Sequence, residues 1–391
     1  MCNIFFPFYS RYIDDHRICC YFDHLDDCIT LEPQPPLFMC GSLMQNPYLR
    51  VSMWVLGISA LVGNIYVVTV RILEKKQSPI QAKQSYLITN LAISDSIMGI
   101  YMVILASVDV YYGQDYFLYS DQWRSSALCK VASVLSLLSS EGSILFITLI
   151  SFDRFLSLVF PFSDFKLGTK HCKIITVVIW LLSATLGIVP TIMAGPDSDF
   201  YDLSDVCIGL PLITRPSSFR IESESIVGKD SLAQQSFTLP VADEYRPAWY
   251  FSIAIFLGLN LVCFMGILCL YIAIFINVRI VRKKANTSHD DELAMAIKMA
   301  AIVGTDFLCW MPVIIMGILS QTGVAVIPLE AFTWSVVFIL PINSAINPYL
   351  YTIATMISDS KAKKNKAAGH DTVVSKSGNK TKSTNQGSVS K

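Results

Sequence analysis

Long apolar stretches alternate with short polar ones through most of the chain. Seven of these stretches are long enough to cross a bilayer as an α-helix, which takes about 20 residues. They cover residues 50–74, 85–110, 126–160, 172–194, 247–280, 292–320 and 329–356. A chain in lipid must satisfy its backbone hydrogen bonds internally. The pattern therefore predicts an all-α membrane protein, a seven-transmembrane helix bundle over residues 50–356.

The segments that flank this bundle have different compositions. Residues 1–49 are polar, acidic and cysteine-bearing, which predicts an extracellular hinge segment stapled by disulfides. The sequence does not determine the pairing of its cysteines, which are Cys2, Cys19, Cys20, Cys28 and Cys40. No signal peptide is recognised, so the first span is expected to act as the insertion signal. Residues 357–391 are rich in Lys, Ser, Gly and Asn, and a disordered cytosolic tail is predicted.

The charges between the spans are sorted by sign. Basic residues follow spans one, three and five, and the tail adds eight lysines, whereas acidic residues follow spans two and four. Cytosolic loops carry the excess of Lys and Arg in membrane proteins. The N-terminus is therefore expected outside the cell and the C-terminus in the cytosol.

Composition excludes several classes of protein. Of the 391 residues, 53% are hydrophobic and only 15% are charged, whereas soluble proteins have about 25% charged residues. The net charge of zero gives no sign of a nucleic-acid partner. We find no nucleophile triad, phosphate-binding loop or His/Cys metal set, so an enzyme is not expected, and no cofactor is expected to be required.

A series of short motifs follows the order of the spans. They are Gly63-Asn64, residues 90–95 (Asn-Leu-Ala-Ile-Ser-Asp), Cys129, Asp153-Arg154-Phe155, Trp180, Pro190, Tyr271, Cys309-Trp310-Met311-Pro312 and residues 347–351 (Asn-Pro-Tyr-Leu-Tyr). Together they resemble the rhodopsin-like G-protein-coupled receptors over about residues 50–356. The resemblance implies a multi-pass receptor of the plasma membrane that couples an extracellular peptide or protein hormone to a heterotrimeric G protein.

Longer stretches are similar to the leucine-rich-repeat-containing receptors, closest to the relaxin-receptor branch. They cover residues 139–143, 255–261, 305–312 and 338–348. That branch carries a large repeat ectodomain, and no leucine-rich period precedes the first span. The chain is then expected to be a receptor for a hormone, with coupling that leans to the cyclic-AMP-raising G protein. Alternatively, it is an ectodomain-less fragment that signals constitutively or acts as a non-signalling partner. A transporter or channel is less favoured.

The resemblance also implies roles for residues at the two ends of span three. Cys129 and Cys207 are implied to form the disulfide that ties the loop after span four to the bundle. At the other end, Arg154 is implied to be a switch that pairs with Asp153 and with Glu292 in the resting state. On activation, Arg154 and Tyr271 are implied to meet the G protein while Tyr351 swings inward.

Further implied residues lie inside the spans. Trp310 is implied to be a toggle, and the kinks of spans six and seven fall at Pro312 and at Asn347-Pro348, because proline removes a backbone hydrogen bond. A polar cluster is implied to hold an allosteric sodium ion, and its members are Asp95, Ser143, Asn343 and Asn347. The alternative is a hydrogen-bonded network around a protonated Asp95 without an ion.

Two further acids lie within spans, where an ionisable group indicates function by default. Asp306 is hypothesised to bond to Asn343 or Asn347 and to hold the inactive state. Glu141 either faces a ligand cavity or belongs to a local network, and the sequence does not decide between them. Receptor kinases and arrestin are expected partners if serines and threonines of the tail, or of the segment after span five, are phosphorylated.

Overall fold

The computed structural model describes residues 12–13, 29–30, 41–74, 78–160, 166–193, 205–209, 251, 254–285, 304–305, 307–316, 318–319, 331 and 334–350. The interpretations of Glu292, Asp306 and Tyr351 therefore lie outside the described residues. The same holds for the N-terminal cysteines and for the tail after residue 356.

Helices make up almost all of the described chain. In order they are α1 Pro47–Leu73, α2 Pro79–Tyr112, α3 Tyr116–Ser125, α4 Ala127–Val159, α5 Thr169–Met193, α6 Leu261–Ala285, α7 Phe307–Met316 and α8 Val337–Leu350. A π-helical turn, Ala254–Asn260, leads into α6, and a second one, Ser335–Ile339, overlaps the start of α8. The strand pair β1 Tyr12–Ile13 and β2 Ile29–Thr30, which is parallel, was not predicted.

Five of the described helices are long and apolar enough to cross a membrane, and α7 and α8 are shorter apolar helices. Many large apolar side chains of α1, α5 and α6 face outward, as the lipid-facing side of a membrane bundle requires. The predicted all-α class with apolar spans is confirmed.

Polar caps start the first helices before their apolar stretches begin. The Asn46 side chain accepts a hydrogen bond from the backbone of Tyr48, and Pro47 occupies the first turn of α1. Ser78 and Pro79 have the same arrangement at the start of α2. Side-chain oxygens at the cap satisfy backbone N–H groups that have no partner within the helix, and proline suits the first turn. This explains why α1 and α2 begin earlier than hydropathy predicted, at residues 47 and 79 rather than 50 and 85.

Helix α4 occupies the centre of the described bundle and packs against α2, α5 and α6. Its contact with α2 is close, because a Cβ atom on Gly142 would lie 2.5 Å from Ser94 Oγ. Ser94 and Ser139 each donate a side-chain hydrogen bond to the other's backbone carbonyl, at 3.0 and 2.7 Å. Small residues let helices approach within hydrogen-bonding range in lipid, and here they bring the polar side chains of α2 and α4 together.

Candidate functional site

A buried carboxylate joins three helices near the middle of the bundle. Asp95 on α2 is fully buried, and its Oδ1 accepts hydrogen bonds from Ser143 Oγ on α4 at 2.7 Å and from Ser344 Oγ on α8 at 3.0 Å. Its Oδ2 accepts a third bond from Asn347 Nδ2 at 2.8 Å. A buried carboxylate is costly unless hydrogen bonds compensate it, and these three donors supply that compensation. A change in the packing of α2, α4 or α8 must therefore disturb this network.

The membership of the network differs by one residue from the sequence interpretation. Ser344, which the sequence analysis did not single out, contacts Asp95, while the neighbouring Asn343 is buried without a described bond to it. Asn64 on α1 joins through the backbone, since its Nδ2 donates to the Ser344 carbonyl at 2.9 Å. Consecutive residues on a helix point about 100° apart. The motif therefore identified the correct turn of α8, but not which of its side chains contacts Asp95.

The oxygen atoms of this network suit a hard cation such as sodium. Such ions prefer carboxylate, hydroxyl and amide oxygens, and Asp95, Ser143, Ser344 and Asn347 offer all three kinds. The buried Oδ1 atoms of Asn343 and Asn347 accept no hydrogen bond from any residue that the structure describes. Oxygen atoms other than those of Asp95 are thus available as ligands, and these oxygen ligands fit the implied sodium ion.

A buried ion pair lies beside Arg154, at the opposite end of α4 from Cys129. Lys83 Nζ on α2 lies 2.5 Å from Asp153 Oδ1 and also donates to the Leu167 carbonyl at 3.0 Å. Arg154 is buried and interacts electrostatically with Asp153 and with Tyr271 on α6. Sequence reasoning placed Arg154 at the Asp153 carboxylate but did not place Lys83 there. Lys83 carried no motif, and its only sequence signal was a cation at the start of a span.

The second intramembrane acid also has a described partner. Glu141 on α4 is fully buried, and its Oε1 accepts a hydrogen bond from Asn260 Nδ2 at 3.2 Å. Asn260 is the last residue of the π-helical turn Ala254–Asn260. The contact links the centre of α4 to the segment that leads into α6. Of the two interpretations of Glu141, a ligand cavity or a local network, this contact agrees with the local network.

Of the toggle and kink residues, Trp310 and Pro348 lie in packed surroundings, whereas Pro312 is exposed. The Trp310 ring on α7 is buried, and its centroid lies 6.1 Å from that of Phe264 on α6. Pro348 on α8 packs against Gly63 on α1, where an added Cβ atom would lie 2.9 Å from the proline ring. The Gly63-Asn64 motif therefore has a physical basis in this structure: Gly63 admits Pro348, and Asn64 bonds to the backbone of Ser344 one helical turn away.

The end of α4 opposite Arg154 is closed by a disulfide. Cys129 and Cys207 are bonded, with their Cα atoms 5.4 Å apart, and this is the pair that the resemblance implies. Cys207 has a φ of 46°, in the left-handed region that is uncommon for residues other than glycine. Tyr101 Oη donates to the carbonyl of the preceding Val206 at 2.8 Å. Covalent and hydrogen bonds therefore hold the loop in this conformation.

The residue at the start of this loop segment is held by a buried ion pair. Arg124 Nη1 lies 2.7 Å from Asp205 Oδ1, and Trp123 Nε1 donates to the Asp205 carbonyl at 2.8 Å. Arg124 also pairs with Asp121 on its own helix. Burial raises the pKa of the Asp205 carboxyl above its ordinary value, and the nearby guanidinium opposes that rise. Helix α3 thus anchors the loop through Asp205, an interaction that no sequence motif marks.

A second ion pair fixes the segment before α1 at the same end. Arg50 Nε lies 2.6 Å from Asp109 Oδ2 on α2, and Asp109 Oδ1 accepts a hydrogen bond from the Met44 backbone at 2.9 Å. Arg50 also donates to the Met44 carbonyl at 3.1 Å. Asp109 therefore connects the ends of α1 and α2 with the residues that precede α1.

Comparison with known proteins agrees with this architecture. The model of the 7 transmembrane receptor (rhodopsin family) matches residues 63–351. The chain therefore belongs to the rhodopsin family of seven-transmembrane receptors, and it is a multi-pass protein of the plasma membrane. The expected resemblance and the seven-helix fold are confirmed.

Several receptors are similar over most of this chain. A G-protein coupled receptor of Lymnaea stagnalis, GRL101, is 34% identical over 344 residues, which are 88% of this chain and 28% of that protein. Human relaxin receptor 2 is 29% identical over 355 residues, 90% of this chain and 43% of the receptor. The follicle-stimulating hormone receptor of Felis catus is 28% identical over 329 residues, 84% of this chain and 41% of the receptor. The chain thus spans less than half the length of these relatives, and the relaxin receptors among them agree with the expected branch.

Proposed function

We propose that this chain transmits the signal of an extracellular peptide or protein hormone to a heterotrimeric G protein. The observation that carries the proposal is the arrangement of α4. It has the Cys129–Cys207 disulfide at one end, Arg154 beside the buried Lys83–Asp153 ion pair at the other, and the Asp95 network between them. Family membership supplies the class of protein, and the names of the relaxin and follicle-stimulating hormone receptors support a hormone as the ligand.

The proposed orientation places the disulfide outside the cell. Disulfides form and persist in oxidising compartments, so the Cys129–Cys207 end of α4 is the extracellular one. Arg154 then lies at the cytosolic end, where the basic residues of the connections and the tail favour the same orientation. Cys129 and Arg154 are 25 positions apart on one helix, which is about 38 Å at 1.5 Å per residue. A single helix therefore links the hormone side to the G-protein side.

The Asp95 network gives this helix a means of switching. Its three hydrogen bonds join α2, α4 and α8 at a level between the disulfide and Arg154. A hormone that binds one arrangement of these helices better than another shifts the population between them. Rearrangement of the network then changes the position of the Arg154 end. Glu292, Tyr271 and Tyr351 are the other residues of the proposed switch.

Sodium is proposed to stabilise the resting arrangement through Asp95, Ser143, Ser344 and Asn347. An ion that binds one state alone stabilises that state by mass action. We expect sodium chloride to raise the unfolding temperature of the purified protein more than choline chloride does at equal ionic strength. Asp95→Asn removes the carboxylate charge and is expected to abolish the difference between the two salts. An equal difference in wild type and Asp95→Asn would remove sodium from the proposal.

The central experiment measures nucleotide exchange on purified G proteins by residues 1–391 in lipid nanodiscs. The wild type is compared with Arg154→Ala, and with Lys173→Ala as the matched control, because Lys173 is an exposed cation near the same end of the bundle. We expect basal exchange above background in the wild type and the control, and its loss in Arg154→Ala. If the stimulatory G protein is used, basal cyclic AMP in cells should follow the same order. It should be raised in the wild type and the Lys173→Ala control and lost in Arg154→Ala.

Two outcomes would contradict the proposal. Equal exchange in the wild type and Arg154→Ala, at equal amounts of folded protein, would remove Arg154 from the mechanism. Absence of exchange with every class of G protein, together with ion flux in vesicles that contain only this chain, would favour the transport alternative.

A further inference from the structure

The contacts of Lys83 go beyond those of a cation at a membrane surface. Its side chain is only 10% exposed and that of Asp153 only 3%, so the two charges face each other away from water. The same ammonium group donates to the Leu167 carbonyl at 3.0 Å, in the segment just before α5. Lys83 therefore connects α2, α4 and the chain that enters α5 through one group.

A buried ion pair of this kind is weak evidence for stability. The free energy of removing two charges from water offsets much of their attraction. Proteins with apolar replacements of similar volume are therefore often as stable. The pair stands next to Arg154, which also interacts electrostatically with Asp153. The Asp153 carboxylate thus interacts with two cations, through the hydrogen bond that Lys83 donates to its Oδ1 and through the charge of the adjacent Arg154.

We propose that Lys83 is a positioning residue that holds Asp153 and Leu167 together, and that by sharing Asp153 with Arg154 it limits how tightly Arg154 is retained. This inference rests on the proposed function, because it concerns the same switch. When the charge of Lys83 is absent, Arg154 alone neutralises Asp153 and is held more firmly at α4. Less of the receptor then reaches the state in which Arg154 meets the G protein.

Lys83→Met and Asp153→Asn are expected to act in opposite directions. Lys83→Met strengthens the hold on Arg154, so basal nucleotide exchange should fall at least about fivefold, within the usual range of coupling between two sites. Asp153→Asn removes the shared negative charge and should raise basal exchange. Lys83→Arg keeps the charge and should retain the rate of the wild type, as should the exposed control Lys173→Met.

A second measurement tests the contact of Lys83 with the entry to α5 without any G protein. Cys172, on the first turns of α5, is a buried free thiol close enough to Lys83 and Asp153 to interact with both. If Lys83 holds the entry to α5, Lys83→Met should increase the alkylation rate of Cys172 at least about fivefold by easing local opening. Peptide mass spectrometry with a membrane-permeant reagent can follow Cys172 beside Cys269, a thiol on the outer, lipid-facing side of α6 whose rate should not change.

The outcomes separate this inference from the proposed function. An unchanged alkylation rate of Cys172 in Lys83→Met would overturn the holding role. A change of nucleotide exchange in the same direction in Lys83→Met and Asp153→Asn would overturn the sharing of Asp153, since a merely structural pair loses the same contact in both variants. A wild type that activates no G protein would overturn the proposed function and with it the regulatory role, while the thiol rates would still decide the holding role.

Discussion

The two ends of α4 are held by different kinds of contact. At the end that contains Cys129, which we call the disulfide end, a covalent bond joins Cys207, and the ion pairs Arg124–Asp205 and Arg50–Asp109 lie beside it. At the end that contains Arg154, which we call the Arg154 end, the part of the chain that the structure describes has Lys83–Asp153 as its buried ion pair and no disulfide.

The difference suits a protein that moves at one end more than at the other. A disulfide keeps its two ends together in every conformation, whereas an ion pair can exchange partners at a modest difference in free energy. Asp153 accepts a hydrogen bond from Lys83 and interacts electrostatically with the adjacent Arg154, so either cation can neutralise it. Interfaces with two arrangements of this kind can amplify small shifts into a switch. The comparison predicts that perturbing the disulfide end affects stability, while perturbing the Arg154 end affects signalling.

The largest expected effect on stability is the loss of the disulfide. Replacing both Cys129 and Cys207 by Ser releases a link between residues 78 positions apart. Cross-links that close loops of this size contribute about 4 kcal/mol to the free energy of unfolding. We expect a large decrease of the unfolding temperature in detergent, measured by tryptophan fluorescence, and little change in the control Cys269→Ser. A double variant as stable as the control would show that the loop is held without the disulfide.

The next largest effect is expected from Arg124→Gln. The change leaves the buried Asp205 carboxylate without its cation, and breaking a buried pair on one side costs about 3 kcal/mol. Because burial raises the pKa of Asp205 in the folded protein, the ionised form is the destabilised one, and loss of the guanidinium raises the pKa further. The deficit of the variant should therefore be smallest below the ordinary pKa of about 4, and should grow as pH rises through the raised value.

The control for this prediction is the double variant Arg124→Gln with Asp205→Asn. It contains no buried charge at this position, so part of the lost stability should return and the pH dependence should disappear. If the single and double variants unfold at the same temperature at every pH, Asp205 is not the group that Arg124 stabilises.

The sequence analysis identified several residues of the site, but it missed residues that pair with them from distant parts of the chain. Asp95 with Asn347, and Cys129 with Cys207, belong to motifs whose positions identify their partners. Lys83 is 70 positions from Asp153, and no local pattern predicts that α2 begins early enough to deliver it there. Such pairs depend on helix packing and on the capped start at Ser78, which hydropathy does not encode.

Similar reasoning explains a smaller difference at the disulfide end. Helix α3 interrupts the connection that hydropathy treated as polar, because Trp123 and Arg124 are buried through contacts with Asp205 rather than with a continuous apolar face. Long-range partners of this kind are invisible to a window of sequence. The fold was therefore predictable from the spans and motifs, whereas the buried ion pairs were not.

The smallest expected effect is that of Arg50→Gln, and it tests whether burial decides the strength of the ion pairs at the disulfide end. The Arg50 side chain is 37% exposed, whereas that of Arg124 is 2% exposed, and both pair with a buried Asp. Exposed ion pairs contribute about 0–1 kcal/mol because solvent screens them. Asp109 also keeps its hydrogen bond from the Met44 backbone. We expect Arg50→Gln to lower stability by about 1 kcal/mol or less, a loss that shrinks further in high salt. If Arg50→Gln instead destabilises the protein as much as Arg124→Gln, the two ion pairs contribute equally to stability. Attachment of the segment before α1 would then stabilise the disulfide end as much as attachment of the disulfide-bonded loop does.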